Sequence, residues 1–432
     1  MNDKLSKAID ECRAKIGVIG LGYVGLPLAV ELGRAGFEVT GFEVDAKKVA
    51  SINRKISYIG DVKTTDLAAL VSGGKLKATV DFSKLGGQDA IIVCVPTPLR
   101  KSKDPDVSYI ISATNSIAKT IRKGQLIILE STTYPGTTRE LVLPMIEKNG
   151  LKCGRDIFLA FSPERVDPSN SKFNISNTPK VVGGITPKCG KLASSLYSKI
   201  TSSVKYVTSP EAAEMVKLLE NTFRAVNIAL VNEVALMCDR LKLDVWEIID
   251  AAGTKPFGFM PFYPGPGIGG HCIPLDPHYL SWKLKTLNFY SRFIELAGEM
   301  NSKMPEYLVQ KIVDAVNERG KSIRGAKILL LGMAYKKDVS DLRESPSLDV
   351  LKLLLDKKAN TAYYDPYISD FKMGGRTFRS VKNLKSLSGY DAVVVVTNHT
   401  VIDYADIVKR ASLVIDSRNA TKGIKSSKVI KL

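Results

Sequence analysis

The residues best placed to do chemistry lie in the stretch Tyr263-Pro264-Gly265-Pro266-Gly267-Ile268-Gly269-Gly270-His271-Cys272-Ile273-Pro274-Leu275-Asp276-Pro277-His278. A cysteine and a carboxylate stand four positions apart at the exit of a Gly/Pro loop. A thiol becomes a nucleophile once its proton is gone, and Asp276 beside it can handle protons. Glycines let a ligand reach backbone N–H groups with no Cβ in the way, and prolines fix φ so that the loop keeps its shape. The bland alternative is a Pro/Gly turn joining two helices around a buried thiol.

The elements that would have to position this loop come from a chain of 432 residues, 44% of them apolar, which is enough for two or three domains with a core each. The longest apolar runs, 328–331 and 392–396, fall far short of the roughly 20 residues of a membrane span. No apolar leader follows the polar start, so the expected compartment is the cytoplasm. Six cysteines (Cys12, Cys94, Cys153, Cys189, Cys238, Cys272) form no CxxC and argue against a disulfide framework. His271, Cys272 and His278 match no usual ligand spacing, so no metal is expected. The formal net charge is +18, and residues 311–432 hold 23 Lys and Arg against 13 Asp and Glu. That excess forms no run of five like charges and no basic cluster interleaved with aromatics. Neither nucleic acid nor a membrane is therefore an expected partner, which leaves a solvated basic surface or a polyphosphate ligand.

In chain order, an apolar run at 14–19 enters Gly20-Leu21-Gly22-Tyr23-Val24-Gly25, a helically spaced segment follows, and a second strand at 38–42 ends in Glu43. Strand, GxGxxG, helix, strand and acid at this spacing read as a dinucleotide-binding unit. Gly20 allows the turn, Gly22 admits a pyrophosphate, and Gly25 lets helix and strand pack closely. The helix N-terminus, starting near Tyr23 and Val24, offers N–H groups and a positive dipole end. Glu43 would accept hydrogen bonds from the adenosine ribose and repel a 2′-phosphate, which favours NAD over NADP, with Lys47 and Lys48 nearby as the contrary signal.

Buried parallel strands are expected at 90–95 and 125–129, followed by Pro96-Thr97-Pro98 and by Glu130-Ser131-Thr132-Thr133. Loops at strand ends face the ligand in such sheets, which makes Thr97 and Thr132 cofactor candidates. Cys94, inside its strand, reads as core. Phe161-Ser162-Pro163-Glu164 brings another carboxylate to a strand end, either a surface group or a site residue. Ser209-Pro210-Glu211 starts a helix that nothing breaks before Leu241, about 48 Å long at about 1.5 Å per residue. It reads as the spine of a central helical domain. Lys217 and Asn221 share one face of it with Glu214 and Arg224, and its apolar circumference over 225–236 predicts a buried helix whose polar groups need partners. Residues 279–317 read as helical again. Strands at 326–332, 361–364, 392–396 and 413–415 with a helix at 347–358 then form a second α/β domain that lacks GxGxxG and should hold another ligand.

The expected fold is thus α/β: two Rossmann-like doubly wound domains (1–205 and 311–432) joined by a central helical domain with a long helix (206–310). Taken together, Gly20 to Gly25, Ser131-Thr132, Ser162-Pro163-Glu164, Lys217 with Asn221, Gly269-Gly270-His271-Cys272 with Asp276, and Asp341 to Pro346 resemble, over essentially the full chain, the UDP-glucose/GDP-mannose dehydrogenase family of nucleotide-sugar dehydrogenases. Lys255 to Gly267 and Gly270 to Pro274 look most like the UDP-N-acetylglucosamine 6-dehydrogenases. The resemblance implies a four-electron oxidation of a sugar C6 alcohol to a carboxylate with two NAD in turn, through a cysteine thiohemiacetal and thioester. It implies Cys272 as nucleophile, Lys217 and Asn221 on the oxyanion, Asp276 with Thr132 on proton and water, and Glu164 as a second acid or base. Gly267 and Gly269 would lie at the sugar nucleotide, and Lys336 and Arg343 at the uridine diphosphate and cofactor edge. It also suggests a homodimer or higher homo-oligomer built on the long helix. UDP-glucose members usually carry Lys before the Asp, where this chain has Leu275, and a second Glu where it has Pro168 beside Asp167. Those departures count against UDP-glucose. UDP-N-acetylmannosamine or UDP-glucose is the same-chemistry alternative, and an NAD-sensing basic binding protein the different-class one. His271 reads as a substrate or structural contact rather than a base, since neighbours in an extended loop point apart.

Overall fold

The computed structural model describes residues 2–100, 104–166, 172–270 and 273–432. The chain divides into two compact units, Met1–Glu220 with His278–Asn288, and Asn221–Pro277 with Phe289–Leu432. The helix Pro210–Leu241 belongs to the first unit through Glu220 and to the second from Asn221 onward.

The first unit is built on eight strands: β1 (Lys15–Ile19), β2 (Glu38–Phe42), β3 (Leu76–Thr79), β4 (Ala90–Val93), β5 (Leu126–Leu129), β6 (Phe158–Phe161), β7 (Lys180–Gly184) and β8 (Val204–Val207). Their order is β3-β2-β1-β4-β5-β6-β7-β8. The strands AIIV, LIIL and FLAF are buried throughout, as continuous apolar runs covered on both sides must be. Alternation sends Ile92, Ile128 and Ala160 into one core and Ile91, Ile127 and Leu159 into the other. Every pairing is parallel except β6 with β7, where Phe161 faces Gly183. Extending that register by three residues sets Lys180 opposite Glu164. The strand order reverses between β1 and β4, which opens a crevice beyond their carboxyl ends. Among the described cysteines all five are free; the Cys153 and Cys189 sulfurs lie 3.7 Å apart, in hydrogen-bond contact and without a disulfide.

In the second unit a parallel sheet of β9 (Lys327–Leu331), β10 (Asn360–Tyr364), β13 (Ala392–Val395), β14 (Val414–Asp416) and β15 (Val429–Lys431) runs in the order β10-β9-β13-β14-β15. A hairpin of β11 (Asp370–Met373) and β12 (Arg376–Arg379) stands outside it. This sheet also reverses, between β9 and β13. The helical part comprises the long helix from Asn221, the helix Val245–Ala252 and most of the helix Arg292–Asn317. Two Rossmann-like α/β domains and a central helical domain result. Among the described residues no helix is long and apolar enough to cross a membrane.

Two expectations fail here. Residues 279–317 are not one helix: Asp276–Lys285 ends, and Arg292–Asn317 begins after a turn in which Asn288 takes φ 57°. Asn tolerates that left-handed backbone, which a continuing helix excludes. The long helix is not apolar because it is enclosed. Phe223 (46%), Leu230 (54%), Met237 (50%) and Leu241 (66%) remain exposed along it, while Ala225, Ala229 and Ala235 face inward. An apolar circumference does not reveal which part is covered by the same chain.

Candidate active site

The crevice of the first unit is shaped by glycines. A Cβ on Gly25 would sit 1.8 Å from the Gly20 carbonyl oxygen, and one on Gly20, at φ 88°, would sit 2.5 Å from the Cys94 carbonyl. Only a chain without those atoms brings β1, the helix Gly25–Arg34 and the end of β4 together. At Gly22, by contrast, a Cβ meets nothing within 4 Å, so the middle glycine faces open space. Glu43 at the end of β2 is buried; it accepts the N–H groups of Leu21 (3.1 Å), Val44 (2.9 Å) and Asp45 (3.2 Å), with the Lys48 ammonium 3.7 Å away. The Tyr58 hydroxyl closes the same turn by donating to the Leu21 carbonyl at 2.7 Å. An open glycine edge next to an anchored carboxylate fits a dinucleotide, and when bound NAD supplies the hydride acceptor. Tyr23 and Val24 start the helix beside this edge, Tyr23 exposed and Val24 half-buried.

Thr97 is buried after β4, and its carbonyl accepts the hydroxyl of buried Tyr279. Thr132, half-buried, follows β5 in a loop held from two sides. Ser131 Oγ accepts the Val95 N–H at 2.9 Å. Glu214, fully buried on the long helix one turn before Lys217, accepts the N–H groups of Gly136 (2.6 Å) and Thr138 (2.9 Å) and the Thr138 hydroxyl (2.7 Å). Burial pushes its carboxyl up to about 7, against those three donors. Lys217 is itself buried. The Cys94 thiol is driven well above its ordinary range by burial and by Glu130 beyond it, which makes it core rather than chemistry.

Glu164 is the surprise of this unit. It lies after β6 with Oε2 3.0 Å from Lys180 Nζ, and Lys180 also bonds Glu130. Sequence reading missed Lys180, Tyr197, Tyr279 and the role of Glu130. The available signal was a lysine opening the apolar strand Lys180-Val-Val-Gly-Gly, which in a sheet buried on both faces needs a carboxylate.

In the second unit Asn221 Nδ2 donates to Asp276 Oδ2 at 2.5 Å, and both residues are buried. Two residues 55 positions apart, each singled out for chemistry, thus meet at the start of the helix Asp276–Lys285. Cys272 and His271 lie outside the described residues, as do Asp167 and Pro168. The glycine loop before them rests on protein. The Gly265 N–H donates to Asn232 Oδ1 at 3.0 Å and the Gly270 N–H to the Arg343 carbonyl at 3.1 Å. A Cβ on Gly269 would meet Tyr335 at 2.7 Å and the Glu344 carbonyl at 2.8 Å, and one on Gly267 would meet Pro346 at 3.2 Å. The Arg343 guanidinium pairs with Asp341 at 2.7 Å. Lys336 lies in the turn after β9, which a buried network fixes: Asp365 Oδ2 accepts the Met333 and Ala334 N–H groups (2.7 and 2.9 Å) and meets His399 Nε2 at 3.1 Å, and His399 Nδ1 accepts the Asp338 N–H at 3.0 Å. Among the described residues no His, Cys, Asp and Glu cluster could hold a metal.

Three family models match in succession: the NAD binding domain of the UDP-glucose/GDP-mannose dehydrogenase family over residues 14–201, its central domain over 211–303 and its UDP binding domain over 329–423. The chain belongs to the UDP-glucose/GDP-mannose dehydrogenase family. It is 36% identical over 388 residues to the UDP-N-acetyl-D-glucosamine 6-dehydrogenase of Pseudomonas aeruginosa, covering 89% of this chain and 90% of that one. To the UDP-N-acetyl-D-mannosamine dehydrogenase of Pyrococcus horikoshii it is 34% identical over 414 residues, with 94% and 96% covered. The solved structure described as UDP-D-ManNAc dehydrogenase from Pyrococcus horikoshii superposes with a TM-score of 0.88 at 33% identity, over 96% of this chain and 98% of that one. The chain is therefore a UDP-sugar dehydrogenase with the family's NAD-binding and UDP-binding domains, and the different sugars named among its relatives leave the sugar open.

Proposed function

We propose that the chain oxidises the C6 hydroxyl of UDP-N-acetylglucosamine to the uronate in two NAD-dependent steps, passing through a covalent adduct on Cys272. The observation that carries this reading is the buried hydrogen bond between Asn221 and Asp276, two residues assigned to the reacting carbon. Removing a hydride and a proton from the alcohol yields the aldehyde, and the Cys272 thiolate adds to its carbon. Lys217 and Asn221 hold the resulting oxyanion. Loss of a second hydride leaves the thioester, and water, aligned by Asp276, Thr132 and Glu164, cleaves its C–S bond and returns the thiolate. The balance is two NADH and three protons per carboxylate from one alcohol, two NAD and one water. Lys336 and Gly267 with Gly269 would serve the sugar nucleotide, and Arg343 the cofactor edge.

The glucosamine sugar is favoured by the likeness of residues 255–267 to that subfamily; the mannosamine epimer is the second reading, on the name of the Pyrococcus relative. A panel of UDP-N-acetylglucosamine, UDP-N-acetylmannosamine and UDP-glucose with NAD or NADP decides the matter. The expected result is kcat/KM at least about tenfold higher for the first sugar with NAD, with two NADH per uronate. A preference for another sugar sinks the substrate assignment, and one NADH per turnover sinks the mechanism. The exposed Phe223, Leu230, Met237 and Leu241 support a homo-oligomer closed over the long helix. Light scattering that returned the mass of one chain would remove that part.

A further inference from the structure

We propose that Lys180 is a positioning residue that commits Glu164 to the role of ionised hydrogen-bond acceptor, with Glu130 as the neighbour that takes the spare proton. This inference rests on the reading that Glu164 serves the reacting carbon.

The geometry is set by topology. β7 runs antiparallel to β6, so its first residue, Lys180, stands at the edge of the sheet where β5 and β6 end, between the carboxylates that follow them. The lysine is 3% exposed, Glu130 1%. Lys180 Nζ reaches Glu130 Oε1 and, at 3.0 Å, Glu164 Oε2, and it lies 5.1 Å from the centre of the Tyr197 ring. The Tyr197 hydroxyl donates to Glu130 Oε2 at 2.5 Å. Glu164 Oε1 accepts the N–H groups of Arg165 (2.8 Å) and Val166 (2.6 Å). Three donors therefore converge on Glu164, an arrangement suited to a carboxylate and not to a carboxylic acid.

Buried Glu130 and half-buried Glu164 share one ammonium, and the site cannot hold both charges equally well. Burial alone favours neutral Glu164, but Lys180, the contact with Glu130 and the Val166 N–H hold it well below its ordinary range. Glu130 moves the opposite way: burial drives it up, Lys180 opposes, and repulsion from Glu164 adds to the rise. Lys180 stays charged because the two carboxylates outweigh its burial. Among the described residues, Cys94 and Tyr197 also border the cluster, both kept neutral by burial. Outside it, Glu31, Arg34, Asp61, Lys63 and Asp66 line the hollow onto which Glu164 opens, and there Arg34 is held by Asp66 at 2.6 Å. Falling pH thus protonates Glu130 before Glu164, and Glu164 keeps accepting from water or a sugar hydroxyl.

The test compares kcat of the full chain on its best UDP-sugar between about pH 6 and about pH 8 in the wild type, Lys180→Met, Lys180→Arg, Glu130→Gln and Glu164→Gln. Without the ammonium, burial is opposed by fewer partners and the Glu164 carboxyl moves upward. The ratio of Lys180→Met to wild-type kcat is then expected to fall about tenfold from pH 8 to pH 6. NAD binding by calorimetry should stay within about threefold, and Lys180→Arg should restore the wild-type profile. A Lys180→Met enzyme whose loss is the same at both pH values overturns the proposal. Should that variant fail to fold, Glu130→Gln still decides: the acidic limb is expected at or below the wild-type position, and a limb moved upward overturns the assignment of the spare proton. The Glu164→Gln arm separates the two readings. If it keeps full kcat, the role given to Glu164 fails; if it loses activity while Lys180→Met shows no pH-dependent loss, only the positioning role fails.

Discussion

Replacing Cys272 by alanine is expected to lower uronate formation by at least about four orders of magnitude while leaving NAD binding in place. The second oxidation is the step that needs the thiol. A free aldehyde has no hydride to give at a rate that matters until something adds to its carbonyl, and under the proposed mechanism the adding group is the Cys272 thiol. Without it, the route left is hydration of the aldehyde. The alanine variant should therefore release aldehyde or stall, yielding at most one NADH per sugar. Cys272→Ser is expected to stall one step later: its hydroxyl adds to the aldehyde more weakly, and the oxygen ester formed hydrolyses more slowly than a thioester. NADH counting by absorbance, with carboxylate and aldehyde resolved by mass spectrometry, checks both variants. Two NADH per uronate from the alanine variant at wild-type rate would remove the covalent step.

What could be read from the sequence divides by how far apart the interacting residues lie. The NAD loop was legible because its parts are contiguous: β1, the three glycines, the helix and Glu43 fall within about thirty residues, the length of a βαβ unit. In the structure a Cβ on Gly20 or Gly25 would strike backbone, and one on Gly22 would meet nothing within 4 Å. The two-sided burial of β4, β5 and β6 followed from their unbroken apolar runs for the same local reason. The cluster of Lys180, Glu130 and Glu164 was not legible. It depends on β7 turning antiparallel and on a register that sets residue 180 against 164, and neither is written in the residues around Lys180. The role of Glu214 was hidden likewise: its stripe position was seen, but its partners, Gly136 and Thr138, lie more than seventy residues away. The long helix shows a third kind of limit. Its length followed from the absence of a breaker, while the covering of its apolar residues depends on what packs there, which a single chain's periodicity does not contain.

The second large effect is expected from the smallest change, Gly25→Ala. The added methyl would lie 1.8 Å from the Gly20 carbonyl oxygen and 3.2 Å from the Cys94 side chain. The first of these neighbours is backbone, so no rotamer change relieves it. Either the helix Gly25–Arg34 moves away from β1, or the turn at Gly20 opens. Moving the helix disturbs Leu26, Leu28, Ala29 and Leu32, all fully buried, and overpacking of this kind costs about 1–3 kcal/mol. Opening the turn displaces Gly20, which holds a left-handed φ of 88° and where an added Cβ would lie 2.5 Å from the Cys94 carbonyl oxygen. Both routes shift the N–H groups at the helix N-terminus, which must lie within hydrogen-bond distance of a pyrophosphate to hold it. NAD affinity is therefore expected to fall about a hundredfold, with a lower midpoint in urea denaturation. Gly22→Ala is the matched comparison: its methyl enters open space, so stability should be unchanged while NAD affinity still drops, because the space it fills is where the ligand would approach. Equal destabilisation by the two substitutions would show that the loop's glycines serve packing alone and that the crevice beyond β1 and β4 does not seat the cofactor.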